Sequence, residues 1–437
     1  AKQKMNVNGT TVVQPGQPFP EEWKRSVFIY TTKEATPNIL GAVDALNTVI
    51  FNPNRNEEQQ PDNAKALEWT QQALNFSDII LFWFPSHTGT AEIASAAATF
   101  GRWASSGKVV YGHASPSTEG TSPAVTAVAH VLGRMDLLAN QEKVTIHPAI
   151  EDAVADIENR FKSTSEIRRG GERGVPLHVW QHKAFKNWYG AQRAVGNRLD
   201  GCIFEWAFRV GPRKQFLLYW VLHVDVHVLA ENRNKSNEIV LARTDIKSVC
   251  PYYVPPGAQG PEDCEVVLIK EFRSPAKTDD CFIHELPGGS AFKAQEPVVE
   301  AASELHEEVG LEIRDLSRFV DHGPRQLAGT TSAHRAYLFS VQLTGEEAAH
   351  CRRRARAGRA LGEAGETERT YVEVHRLGDL LAGGLVDWAT LGMVSTVLRQ
   401  APALRDAGAG AGRQQQRRER PGVGAGRPGA TTGNPKK

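Results

Sequence analysis

Three glutamates crowd one short stretch of this chain. Residues 288–311 read GGSAFKAQEPVVEAASELHEEVGL. Wound as a helix, Val298, Ala302, Leu305 and Val309 share one face; Glu304 and Glu308 stand one turn apart on the opposite side, with Glu307 beside them. Like charges at this spacing repel, so the cluster calls for a solvated face or a cation. Carboxylate oxygens are hard ligands and suit a divalent ion such as Mg2+, which keeps water and substrate phosphates in its remaining positions. Taken alone, an acidic helix face is more often simply solvated.

A second carboxylate stands where a sheet would place chemistry. The apolar run 78–85 (DIILFWFP) passes through SHTGT into a helical pattern whose first turn carries Glu92. Ligands of open α/β sheets bind outside the carboxyl ends of the strands. The helix dipole stabilises an anion at this position, which is also a purely structural reason to find an acid there.

The elements that position these groups follow from periodicity. Residues 26–32, 48–53, 78–85 and 108–114 are nearly continuous apolar runs, as in parallel strands covered on both faces. Helical spacing occupies 39–46, 64–76, 90–105, 122–135 and 150–161 between and after them. This alternation predicts a doubly wound, flavodoxin-like α/β domain over 20–162. Residues 162–174 are polar, charged and Gly-containing and read as a linker; 175–199 holds Trp180 and Trp188 and reads as a connecting helix on the second domain. Strand-like runs at 202–210, 216–229, 238–243, 265–272, 336–343 and 371–377, with helices at 297–309 and 387–400, predict an α+β domain over 200–400 with a mixed sheet. Residues 344–368 read as a charged helix and loop, and 401–437 as a disordered low-complexity tail.

The 288–311 segment resembles the Nudix box, G-x5-E-x7-R-E-U-x-E-E-x-G-U, where U is a bulky aliphatic residue. Gly289, Glu304, Leu305, Glu307, Glu308, Gly310 and Leu311 match it. Gln295 stands where the family has Glu and Ser303 where it has Arg, so both positions become neutral together. Residues 265–275 (EVVLIKEFRSP) and 284–289 (HELPGG) resemble the strand and turn of ADP-ribose and UDP-sugar pyrophosphatases. The resemblance implies a Nudix fold and hydrolysis of a nucleoside diphosphate sugar with Mg2+ or Mn2+. It implies metal ligation by Glu304, Glu307, Glu308 and the backbone of Gly288, a catalytic base at Glu366 or Glu368, and a phosphate or ribose contact at Arg273. It also implies a homodimer through this domain.

Residues 26–114 resemble the nucleoside 2-deoxyribosyltransferase-like family in VFIY, FNPNR, EWTQQAL, SDIILFWFP, TAEIASAA and GKVVYG. The family's nucleophilic glutamate falls on Glu92, and a frequent acidic position near its site falls on Asp78. The implied activity is nucleoside binding or deoxyribosyl transfer. Thr31 and Thr32 replace the family's A-G, and Ala94 a later glycine.

The 437 residues carry a formal net charge of +1, which is a cancellation. Residues 401–437 hold eight Lys or Arg against Asp406 and Glu419, leaving the rest of the chain acidic. Such a tail suits an acidic partner. No apolar run reaches the ~20 residues of a membrane helix, and five cysteines without CxxC spacing suit a reducing compartment. The expected location is cytoplasmic. The substitutions at Gln295, Ser303 and Thr31-Thr32 also admit a different class: a catalytically degenerate scaffold or binding subunit of a larger assembly.

Overall fold

The computed structural model describes residues 9–54, 63–86, 88–115, 123–162, 164, 166–290, 295–362 and 368–401. Glu366 and the basic stretch after Ala401 lie outside the described residues. The chain forms two compact units: Ala1–Asp245 with Gln326–Arg335, and Ile246–Arg325 with Ala336–Lys437. Among the described residues no helix is long and apolar enough to cross a membrane.

The first unit is built on a six-stranded parallel sheet of β1 (Thr11–Val13), β2 (Ser26–Tyr30), β3 (Val49–Phe51), β4 (Ile79–Phe84), β5 (Val109–His113) and β6 (Ile146–His147). Their order is β1-β3-β2-β4-β5-β6, and every pairing is parallel. The apolar runs are continuous because both faces are covered. Val27, Ile29, Ile50, Leu81 and Val110 pack under α1 (Thr36–Val43) and α5 (Ile150–Phe161). Phe28, Phe51, Ile80, Phe82 and Tyr111 pack under α2 (Asn63–Phe76), α3 (Thr90–Trp103) and α4 (Pro123–Glu142).

A three-stranded antiparallel sheet completes this unit: β7 (Arg198–Val210), β8 (Phe216–Val228) and β9 (Arg233–Arg243), in the order β9-β8-β7. Leu217, Trp220, Leu222 and Val224 turn inward and join a core containing Phe185 and Tyr189 of α6 (Lys183–Ala194). This differs from the sequence expectation of a second domain beginning near residue 200. The apolar face of β8 is buried against α6 and the first unit's core, so sheet and helix group with that unit.

The segment expected to be a linker is likewise structural. Arg168 is fully buried and gives an N–H to Asp78 at 2.5 Å and another to the Val175 carbonyl at 3.0 Å. Composition marks this stretch as polar, but it cannot show that one of its arginines meets a buried carboxylate.

The second unit carries a mixed sheet of β10 (Ile246–Tyr253), β11 (Glu265–Glu271), β12 (Ile283–Glu285), β13 (Gly288–Gly289), β14 (Val320–Gln326), β15 (Arg335–Gln342) and β16 (Thr370–Arg376). The order is β12-β11-β10-β15-β14, with β13 paired to β10 and β16 to β11. β10 and β15 are parallel; the other registers described are antiparallel. One face packs on α7 (Pro297–Val309) and α8 (Gly345–Ala357), and the other on α9 (Trp388–Gln400).

Candidate functional site

Helix α7 begins with proline at its first turn and ends on Gly310 in the left-handed region at φ 70°. Ala301, Leu305 and Val309 are its buried apolar residues, set against Val249 of β10 and Val267 and Ile269 of β11. The helix is rotated from the sequence expectation: Val298 and Ala302 are only half-buried, whereas Glu300 is buried. The cause is Lys247, which follows the alternation of β10 to the same face as Val249 and pairs with the Glu300 carboxylate. That rotation brings Glu304 and Glu308, one and two turns on, over β13 rather than into open solvent.

The two-glycine strand is what lets the carboxylates approach. The Gly288 N–H donates to Glu308 at 2.8 Å. A methyl group at Gly289 would come within 2.4 Å of a Glu304 oxygen, and one at Gly288 within 2.4 Å of the Lys247 carbonyl. Burial raises the Glu304 pKa to about 7, helped by Glu307, Glu368 and Glu300. It raises Glu308 to about 9, with Glu304, Glu285 and Glu271 adding repulsion that the Gly288 N–H only partly offsets. Glu271, at the end of β11, is buried and also shifted upward, by burial and by Glu368. Arg273 pairs with Glu271 at 2.8 Å and with the exposed Glu368 at 3.3 Å.

In the first unit, Glu92 lies just past the carboxyl end of β4, in the first turn of α3. It is exposed, and its carboxylate accepts the Gly89 N–H at 3.1 Å, closing the helix end. Nearby, Tyr30 and Ser95 share a hydrogen bond of 2.9 Å, and Thr31 and Thr32 are buried. The structure does not bring Asp78 to Glu92. Asp78 precedes β4, at the other end of the strand, where Arg168 and the Ser26 N–H and hydroxyl take up one of its oxygens.

No family model matches this chain, and no curated protein does.

The donor set on α7 suits a hard divalent cation. It is all carboxylate oxygen, it is partly withdrawn from water, and its members raise one another's pKa. Among the described residues, however, no three His, Cys, Asp or Glu side chains close on a common point as a ready-made metal site. Of the residues named from sequence, Glu304, Glu308, Gly288, Arg273 and Glu368 are brought into one neighbourhood. Glu307 is exposed beside them. The sequence reading did not single out Glu271, Glu285, Glu300 or Lys247. Two of these carry a usable signal: Glu271 lies in step with Val267 and Ile269, and Glu300 is one turn before Glu304.

Proposed function

We propose that the second unit hydrolyses the diphosphate of a nucleoside diphosphate sugar, of ADP-ribose or UDP-sugar type, in a Nudix-type reaction dependent on Mg2+ or Mn2+. The observation that carries this reading is the placement of Glu304 and Glu308 together over Gly288 and Gly289, where burial and mutual repulsion call for a proton or a cation. Glu304 and Glu308 hold the ion in this reading, with Glu271 beside them and Glu307 and the backbone of Gly288 completing the set. When bound, the cation neutralises the diphosphate and acidifies a water molecule. Glu368, within electrostatic reach of Glu304, accepts the proton of the attacking water. Arg273, held between Glu271 and Glu368, offers a planar guanidinium to a phosphate. The test is hydrolysis of ADP-ribose, UDP-glucose and NADH with Mg2+ by wild type and Glu308→Gln. Absence of metal-dependent turnover on all three sinks the proposal.

For the first unit the same reading assigns a flavodoxin-like, deoxyribosyltransferase-related domain that binds a nucleoside. The strand order β3-β2-β4-β5-β6 and the place of Glu92 beyond β4 support it. In the reaction, the Glu92 carboxylate attacks C1′, the bond to the base breaks, and the base leaves with the electron pair. A 2-fluoro nucleoside that leaves a glycosyl adduct on Glu92 is the expected result. A second reading, a catalytically degenerate scaffold, draws support from the neutral Gln295 and Ser303 and from the engagement of Glu92 in its own helix cap. It predicts neither turnover nor adduct.

A further inference from the structure

The first unit contains a cavity of about 470 Å³ at the amino ends of β4 and β5, the end of the sheet opposite Glu92. Its walls come from those strand starts, the end of α4, Arg160 of α5, and the far end of the β7–β8 hairpin. Five Lys or Arg residues line it against two carboxylates. Both carboxylates have a cation, Asp78 through one oxygen to Arg168 and Glu142 to Lys214 at 2.7 Å, while the other Asp78 oxygen is buried without a hydrogen-bond partner. Arg160 is matched too, by Asp156 and by the carbonyls of Gly107 and Val109.

Arg209 is different. Its guanidinium presses on Gly107, which sits at φ +79° and could not carry a methyl group without coming within 2.4 Å of an Arg209 nitrogen. The Arg209 Nε is buried without a hydrogen-bond partner, and so is Nε2 of His178, which also lines the cavity. Burial, together with Arg160, lowers Arg209 to about 10. Burial and neighbouring cations, Arg209 first, also keep His178 neutral. A half-buried cation whose Nε lacks a partner, set beside a second cation, is costly without an anion. Lys143 and Arg213 add exposed charge at the rim. Trp206 and Phe208, stacked at 5.9 Å with their planes 18° apart, also line the cavity and remain about half exposed at 49% and 46%.

We propose that this cavity binds a nucleotide-sized organic phosphate, its phosphate on Arg209 and His178 and its flat ring on the Trp206–Phe208 pair. Arg209 supplies charge-assisted hydrogen bonds and the neutral His178 ring one N–H, and the aromatic pair supplies a stacking surface that tolerates different bases. The volume is that of an ordinary small-molecule site.

Calorimetric titration of the full chain in EDTA tests it, because chelation silences any metal-bridged diphosphate site on α7. The probes are ADP, inorganic pyrophosphate and adenosine. ADP is expected to bind at one site per chain, with adenosine weaker by about tenfold or more. Arg209→Gln is expected to weaken ADP by about tenfold or more, and Arg213→Gln, a rim change that leaves the interior intact, by a few-fold. Trp206→Leu is expected to weaken ADP by about fivefold while leaving pyrophosphate unchanged. Glu308→Gln and Glu92→Gln are expected to leave ADP affinity as in wild type. Absence of ADP binding, or affinity unchanged in both arginine variants, overturns the site. Loss of ADP binding in Glu308→Gln or Glu92→Gln overturns its location. Pyrophosphate binding as tightly as ADP, with no effect of Trp206→Leu, overturns the ring assignment.

Discussion

At the start of β4, Asp78 and Arg168 are both withdrawn from water and each finds its complement in the other. On α7, Glu304 and Glu308 are withdrawn beside each other, and their further neighbours Glu285 and Glu271 are also acids. The first arrangement pairs carboxylate with guanidinium inside the chain, and it ties a polar segment to the sheet. The second is only partly offset within the chain, by Lys247 at Glu304 and by the Gly288 N–H at Glu308. Burial of charge is architectural in one region and, in the function proposed above, serves binding in the other; the sign of the neighbours distinguishes them.

The contrast is broken most severely from its matched side. Arg168→Met strands the Asp78 carboxylate and is expected to lower the stability of the first unit by about 3–5 kcal/mol, measured by urea denaturation. The double variant Arg168→Met with Asp78→Leu is expected to recover most of that loss. On the unmatched side, Glu308→Gln is expected to lower metal-dependent hydrolysis about a hundredfold or more. Without metal, the same change is expected to raise the stability of the second unit by about 1 kcal/mol, read as a melting point about 2–4 °C higher. A variant that melts lower would show that the repulsion is not real.

Titration sharpens the same point. Glu304 and Glu308 keep protons in the folded state up to about 7 and about 9, whereas the unfolded chain releases them in the ordinary Glu range. Their contribution is therefore fully present below that range and is lost as pH rises through the two folded values. Metal-free melts of the second unit are expected to fall between about pH 5 and pH 9, with the stabilisation by Mg2+ growing over the same interval. A metal effect independent of pH would count against carboxylate ligation. The smallest effect is expected at the exposed Glu307, where Gln should change stability by less than about 0.5 kcal/mol while weakening the response to Mg2+ modestly.

Much of this organisation was legible in local patterns. The parallel strands of the first unit announce themselves as apolar runs, and α7 occupies the span its periodicity and Pro297 indicate. What was not legible depends on partners remote in sequence. The rotation of α7 needs Lys247, which lies in IKSVCPYY, a stretch whose Lys and Pro hide a strand. The structural role of residues 166–199 needs Asp78 for Arg168 and Trp220 for Phe185. Glu271 becomes a site residue only once β11 is laid beneath α7.

The assignment of Gln326–Arg335 to the first unit has a consequence for how this protein can be taken apart. The peptide crosses between units at three places, after Asp245, after Arg325 and after Arg335. Ser332 forms its bridge with Leu241, so this insert is moored to β9, the last strand of the three-stranded sheet. No single cut can release either half whole. A fragment started after residue 245 carries ten residues whose proper neighbours have been left behind, and a fragment ended there lacks them. Neither half is therefore a continuous stretch of sequence, whatever each does chemically.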